Sequence, residues 1–378
     1  MRYHADPFAR SVTTAVLACT PAEGGWDVLL ADTVLFPEGG GQPDDHGAVD
    51  GHPVLGLRRE AAGVVHRLAA PVSGEVTVTL DWTRRFDHMQ QHSGQHLLSA
   101  VAQDRFGLPT TAFHLGAERC DIEVDGDVSA GTLAALEDAV NAAIRDDREM
   151  RVREVSVDAI AALPVRTRGL PEGFAGTVRL VEIDGIDLNT CGGTHVDRTG
   201  RLQALKLLGV ERLKRGTRLP FVAGGRVLGL LGGMVEREAA LTRLLSCPPT
   251  EHTTAVARAL DETKTFAKAN KALSAELARA LGATLVPAGD PPTLRWHRDD
   301  ADPAFLNAVA DTVRAAHPDA LCVLTGGVRE GVFLVAGPDA RVAEWGPRVA
   351  ATLEGRGGGA RGRFQGKAAR VDRREEIA

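Results

Sequence analysis

Long apolar runs are missing. No stretch of the 378 residues approaches the roughly 18 uninterrupted apolar positions of a membrane-spanning helix, which excludes a helical span. Aromatic residues are scarce at 4%, with a single tyrosine, so base stacking cannot carry most of the affinity for a nucleic acid and phosphate and shape contacts must. The five cysteines (Cys19, Cys120, Cys191, Cys247, Cys322) are few, odd in number and scattered, which argues against a disulfide framework and for a reducing compartment. Positive charge is not in surplus either. The net charge of -6 excludes a general basic coat, so a polyanionic partner must be met by local patches. The polar start, Met1-Arg2-Tyr3-His4-Ala5-Asp6, lacks the apolar core of a signal peptide, and a cytoplasmic location is expected.

What is present is an ordinary globular balance, 44% hydrophobic and 25% charged, over a length that suits two or three domains. The pattern is α+β. Residues 1–82 alternate short apolar runs (Thr14–Leu17, Val28–Leu30, Val54–Leu57, Val64–Leu68, Val76–Leu80) with Gly, Pro and Asp clusters, the spacing of a small β-barrel or sandwich. A helix then runs from an Asp87 cap to Phe106, stopped by Gly107-Leu108-Pro109, and a second is marked by Leu133, Leu136, Val140 and Ile144. Strands at Val152–Val157, Thr177–Ile183 and Leu202–Val210 complete a central α+β domain over 83–230. Beyond Gly232-Gly233 a helical arm (231–285) is expected. Its long helix is capped by Thr250, carries Val256, Leu260, Phe266, Leu273, Leu277 and Leu281, and stops at Gly282. That apolar face fits an intramolecular hairpin and a homodimer equally. A small α/β domain (286–378) closes the chain.

Two residue pairs about a hundred positions apart stand out. His92 and His96 lie at i and i+4 on one helix face, and Cys191-Gly192-Gly193-Thr194-His195 adds a thiolate and a third imidazole from a turn. Three nitrogens and one sulfur suit zinc. Twelve histidines produce such pairs by chance, however, and His88–His92 has the same spacing. Spacing alone does not separate a metal site from ordinary histidines beside a buried cysteine.

The surrounding motifs do separate them. Gly39-Gly40-Gly41-Gln42-Pro43-Asp44-Asp45-His46-Gly47, Gln91-His92-Ser93-Gly94-Gln95-His96-Leu97-Leu98 and Cys191-Gly192-Gly193-Thr194-His195-Val196 resemble the editing domain of alanyl-tRNA synthetases and the free-standing AlaX editing proteins, over residues 1–230. The segment Gly357–Gly366 is similar to the glycine-rich ending of the domain that closes those synthetases. With no room for an aminoacylation domain ahead of the barrel, the likeness is to a long-type free-standing editor.

The resemblance implies one Zn²⁺ on His92, His96, Cys191 and His195. It implies a glycine loop (Gly39, Gly40, Gly41, Gln42) over the aminoacyl pocket, Thr33 near the substrate side chain, and His114 as a substrate contact or proton carrier. The implied reaction is deacylation of tRNA(Ala) mischarged with serine or glycine. A zinc-stabilised tRNA-binding module without catalysis and a small-molecule metallohydrolase are the alternatives. Two basic runs, Arg198–Arg218 and Arg356–Arg374, each with seven cations against one acid, fit a tRNA that reaches the site from outside. Gln95, one step off the His92/His96 face, receives no role.

Overall fold

A short helix, α1 (Arg2–Ala5), precedes seven strands: β1 (Ser11–Ala22), β2 (Gly25–Leu30), β3 (Gly47–Val49), β4 (His52–Pro53), β5 (Gly56–Glu60), β6 (Gly63–Leu68) and β7 (Glu75–Leu80). They pair antiparallel in the order β4-β3-β7-β1-β2-β6-β5, a curled half-barrel. Period-two alternation explains the inward face: in β7, Val76 and Val78 are buried while Glu75, Thr77 and Thr79 are exposed. The expected strand Val54–Leu57 is not one strand. Val54 N donates to Gly47 O and Leu55 N to Arg67 O, so the chain changes partner strand there and pairing resumes at Gly56.

The helix α2 (Trp82–Phe106) begins ahead of the expected cap. Asp81 is the N-cap, its carboxylate accepting from Arg84 N at 3.2 Å, and Asp87 lies inside the helix, ion-paired to Arg226 at 2.6 Å. Gly107 ends the helix in the left-handed conformation at φ 67°. There follow β8 (Thr110–Leu115), β9 (Cys120–Val124), α3 (Ala130–Arg145), β10 (Met150–Ser156), α4 (Val157–Ile160), β11 (Thr177–Ile183), β12 (Asp187–Thr190), β13 (Leu205–Leu207), β14 (Glu211–Arg212) and β15 (Thr217–Ala223). One antiparallel sheet runs β13-β15-β9-β8, with β14 on β15; a second is β10-β11-β12. The predicted strand Leu202–Val210 shrinks to β13 because Leu202 closes a 3₁₀ turn and Gln203, at φ 60°, redirects the chain.

Helices α2 and α3 share one core with the larger of these sheets. Leu97, Leu98 and Val101 from α2 and Leu136, Val140 and Ile144 from α3 meet Ile122, Leu205, Leu219 and Phe221. The Gln91 amide completes the edge of β15, exchanging bonds with Ala223 N and O, both at 2.9 Å. Between the half-barrel and α2 sits a fully buried ion pair, Asp45–Arg85. Asp45 also accepts from Phe36 N at 2.7 Å, and Arg85 donates to Pro7 O at 3.0 Å and Val34 O at 2.6 Å.

The structure, a computed structural model, describes residues 1–160, 162–166 and 176–377. Its mixed α+β elements divide into two compact units, Met1–Glu238 and Ala239–Ala378. The helix α5 (Gly225–Leu245) carries the chain from one to the other, so the expected boundary at Gly232-Gly233 lies inside a helix. Next comes α6 (His252–Thr284). Thr250 is not its cap but part of a preceding 3₁₀ turn, Pro249–Glu251. Nor does α6 stop at Gly282, where a Cβ would stand 2.8 Å from Thr312 Cβ: the bare position serves close packing rather than termination. Of the expected apolar face, Leu281 packs on the C-terminal core, while Val256, Leu260, Phe266, Leu273 and Leu277 are exposed.

The second unit continues with β16 (Thr293–Arg298), α7 (Pro303–Ala316), β17 (Leu321–Gly326), β18 (Gly331–Ala336), α8 (Asp339–Thr352), β19 (Arg356–Gly358) and β20 (Arg363–Ala368). The sheet order is β16-β17-β18-β20-β19, with only β16 and β17 parallel. Both faces are covered, and β17 reads accordingly as a continuous apolar run. Its Cys322 and Leu324 join Phe305, Leu306 and Val309 of α7, whereas Leu321 and Val323 join Val342 and Val349 of α8.

Candidate metal centre

One turn of helix separates His92 from His96 on α2, and the two rings lie 5.2 Å apart between centroids. His195 completes a triangle with them, at 4.4 Å from His92 and 4.8 Å from His96. Cys191 Sγ stands 3.3 Å from His92 Nε2 and 3.2 Å from His195 Nε2. One donor atom from each of these four residues lies within 4.8 Å of every other. His88, the competitor at the same spacing, is not among them. The turn that delivers Cys191 and His195 needs its second glycine: a Cβ on Gly193 would fall 2.3 Å from His92 Cε1 and 2.8 Å from Gln42 Oε1. Arg179 on β11 clamps the same turn, donating to Cys191 O at 2.9 Å and Gly193 O at 2.6 Å.

Two of the three imidazoles have a hydrogen-bond partner at Nδ1. Gln42 Oε1 accepts from Thr194 N at 2.9 Å and lies 2.9 Å from His92 Nδ1, while its Nε2 donates to Thr194 Oγ1. An acceptor at Nδ1 fixes the proton there and leaves the Nε2 lone pair facing Cys191. Ser93 Oγ, which accepts from Val196 N at 3.1 Å, stands 3.1 Å from His195 Nδ1. Asp187 Oδ2 lies 3.8 Å from His96 Nδ1.

The electrostatics favour a soft anionic donor at Cys191; burial lowers His96, but the charges of Cys191 and Asp187 outweigh it and raise that ring to about 9. Burial alone would raise the Cys191 thiol, but His92, His195 and His96 outweigh it and hold it well below its usual range. Burial pushes His195 down to about 3, which keeps that ring a lone-pair donor. One thiolate and three imidazoles converging on one point are a donor set for a borderline-soft divalent cation. The residues fit a single metal ion.

The cluster opens on a cavity of about 450 Å³. Gln95, Ser99, Thr110, Phe113, Asn189 and Thr190 are among the residues that line it, with His92, His96 and Cys191 at one wall and Gly40 at the rim. The glycine loop is thus brought to the site: Gly39 and Gln42 close a tight turn by mutual 3.1 Å backbone bonds, with Gly40 and Gly41 at φ 60° and 82°.

Two predicted residues stand elsewhere. Thr33 is 1% exposed and does not line the cavity; its hydroxyl is bound to His66 Nε2 at 2.9 Å and Leu35 N at 3.1 Å. His114 is exposed and paired with Asp121 at 3.2 Å, because on β8 its neighbour Phe113 takes the cavity-facing side. Sequence reasoning misses Ser93, Asp187 and Arg179, which no motif flags individually, and gives Gln95 no place although it lines the cavity.

A three-histidine, one-cysteine cluster between a helix and a glycine turn, in an α+β frame, defines a domain that could hold a metal ion. A family profile described as the threonyl and alanyl tRNA synthetase second additional domain matches residues 178–219. The alanyl-tRNA editing protein Aarsd1 of Rattus norvegicus is 45% identical over 98% of this chain and 95% of its own length. The protein of the same name from Danio rerio is 41% identical over 98% and 94%. Alanyl-tRNA editing protein AlaX-L of Pyrococcus horikoshii is 30% identical over 60% of this chain and 58% of its own. The chain belongs to the alanyl-tRNA editing protein family. A solved C-Ala domain from Aquifex aeolicus alanyl-tRNA synthetase matches 22% of this chain at 19% identity and a TM-score of 0.21, which establishes no shared fold.

Proposed function

We propose that the protein is an aminoacyl-tRNA deacylase acting in trans: it hydrolyses the ester between serine, or glycine, and the 3′-end of tRNA(Ala), releasing both. The single observation that carries this is the four-residue donor cluster, three of whose members (His92, His96 and Cys191) form one wall of a cavity large enough for an aminoacyl group. A closed structural metal would need no such cavity, which weighs against a binding module without catalysis.

The logic of error correction agrees. A synthetase pocket built for alanine rejects poorly an analogue that merely adds a hydroxyl, so a second, hydrolytic site is required.

Zn²⁺ held by His92, His96, Cys191 and His195 would supply Lewis acidity toward the ester carbonyl and acidify a bound water. The chain's own residues do the rest. Gln42 and Ser93 lock the imidazole orientations, Arg179 holds the Cys191 turn, and the Gly39–Gln42 turn brings bare backbone to the cavity rim, where a ribose can approach. We assign residues 1–82 to the β-barrel domain, 83–230 to the editing domain, 231–285 to a helical arm and 286–378 to a tRNA-binding or dimerisation domain, in a cytoplasmic protein. Deacylation of Ser-, Gly- and Ala-tRNA(Ala) side by side, with and without a zinc chelator, is the test. Chelator-sensitive loss of Ser-tRNA(Ala) is expected. Sparing of Ser-tRNA(Ala) by a preparation that cleaves an unrelated ester overturns the reading.

A further inference from the structure

A site that removes serine but spares alanine must present the serine hydroxyl with a buried partner that alanine leaves unpaired. Such a partner has a recognisable signature: a polar atom in the cavity wall, shielded from water, with no partner of its own. The Thr33 hydroxyl lacks it, since His66 and Leu35 N already occupy that oxygen away from the cavity lining.

Gln95 has it. Its side chain lines the cavity beside the ligand His96, and the residue is 6% exposed. Its Nε2 donates to Ser99 Oγ at 3.0 Å, which turns the amide and fixes it. Its Oε1 is buried with no hydrogen-bond partner. The holding group is itself held: Ser99 Oγ accepts from Thr110 Oγ1 at 2.8 Å as well, and all three residues line the same wall. Ser99 therefore accepts from two donors and retains its own proton to give.

We infer that Gln95 is the residue that distinguishes serine from alanine, its Oε1 accepting the β-hydroxyl of the seryl group while the Ser99 hydroxyl donates to the same oxygen. A hydroxyl needs one acceptor and one donor, and this wall supplies both. The competing donor on the substrate is the α-ammonium, common to seryl, glycyl and alanyl esters. A cation is drawn to a carboxylate rather than to a neutral amide, and Asp187, ion-paired to Arg166 at 3.1 Å, lines the same cavity. Alanine, entering the site, would cover Oε1 with a methyl group and leave it unmatched.

This rests on the deacylase reading, and the experiment separates the two. The kcat/KM values for Ser-, Gly- and Ala-tRNA(Ala) are measured for the wild type, Gln95→Leu, Gln95→Met and Gln95→Glu. In the Leu and Met variants the serine-to-glycine ratio is expected to fall about tenfold or more, the effect of one buried hydrogen bond left unmade. The Glu variant, which keeps an acceptor at the same place, is expected to preserve the preference for serine. Because glycine is an internal reference, partial loss of fold or metal cancels in the ratio, and the two apolar variants guard against misfolding of either.

Equal losses on serine and glycine would assign the amide to the ammonium or to packing and overturn the inference, as would an unchanged ratio. A wild type that cleaves none of the three overturns both the inference and the deacylase reading. A wild type that cleaves serine while its Leu variant keeps the ratio overturns the inference alone.

Discussion

At the residue scale, Gln42 joins three parts of the site: its amide accepts from Thr194 N, lies against His92 Nδ1 and donates to Thr194 Oγ1. Gln42→Leu should therefore lower zinc affinity about 10- to 100-fold in a chelator competition, as loss of an orienting partner does. Cys191→Ala, which removes a donor outright, should drop zinc well below one per chain in the same assay. Undiminished content would remove Cys191 from the site. The donors themselves are legible in the sequence only through the motifs around them, since spacing alone offers His88–His92 equally. Ser93 and Asp187 are not, because a hydrogen bond between helix and turn leaves no periodic trace. Gln42 is visible only as part of a loop over the substrate, whereas the structure engages its amide with His92 and Thr194.

His66, unflagged by any motif, gives a pH prediction at the same scale. Burial holds the ring down to about 4, against an unfolded value near 6.5. Between those values the unfolded chain binds the proton and the folded one does not. Stability therefore falls as pH drops from about 6.5 to about 4, by up to about 3 kcal/mol, and then levels off. Urea unfolding of His66→Gln across that window should show a shallower slope. An identical slope removes His66 as a source.

At the scale of elements, the half-barrel and α2 are joined by Asp45 and Arg85, a link no local pattern contains, since the partners are forty positions apart. Both side chains are fully buried, so Asp45→Ala strands an uncompensated guanidinium and should destabilise the protein by about 3–5 kcal/mol. A loss below about 1 kcal/mol would mean that water reaches Arg85. Helices with apolar steps of three and four are legible in kind, and their ends are not. Asp87 is a plausible cap only until Asp81 is seen accepting from Arg84 N. Strands β8 and β12 leave little trace because polar residues match or outnumber apolar ones in such short windows, whereas β9 alternates with period two but over only five residues. In β8, Thr110-Thr111-Ala112-Phe113-His114-Leu115, the exposure follows from its edge position, and only one ring faces the cavity.

At the scale of the whole molecule, the question is how an acidic chain holds a polyanion. Counting basic residues overstates the answer, because many are neutralised internally. In the first run Arg198 pairs with Asp147, Arg201 with Asp197, Lys206 with Glu137 and Arg218 with Glu123. In the second, Arg363 pairs with Asp311, Arg370 with Asp372 and Arg373 with Glu354 and Glu376. Among the described residues, Arg356, Arg361 and Lys367 have no ion-pair partner, and all three are exposed beside the glycine-rich strands β19 and β20. Such cations keep their counterions until a phosphate displaces them, and that release makes binding depend on salt. Replacing all three by alanine should therefore weaken tRNA(Ala) binding and flatten the plot of log affinity against log salt, by about 0.7–0.9 for each phosphate left without its cation. Ester hydrolysis at saturating tRNA should persist, because the donor cluster lies in the other compact unit. Replacing Arg212, Lys214 and Arg215, also exposed and without ion-pair partners among the described residues, provides the comparison. If only that second set changes the slope, the tRNA is held by the editing unit alone and the C-terminal unit has another task. Dimerisation through the exposed α6 face is then the reading to pursue, and sedimentation of a Leu260→Glu, Phe266→Glu variant decides it.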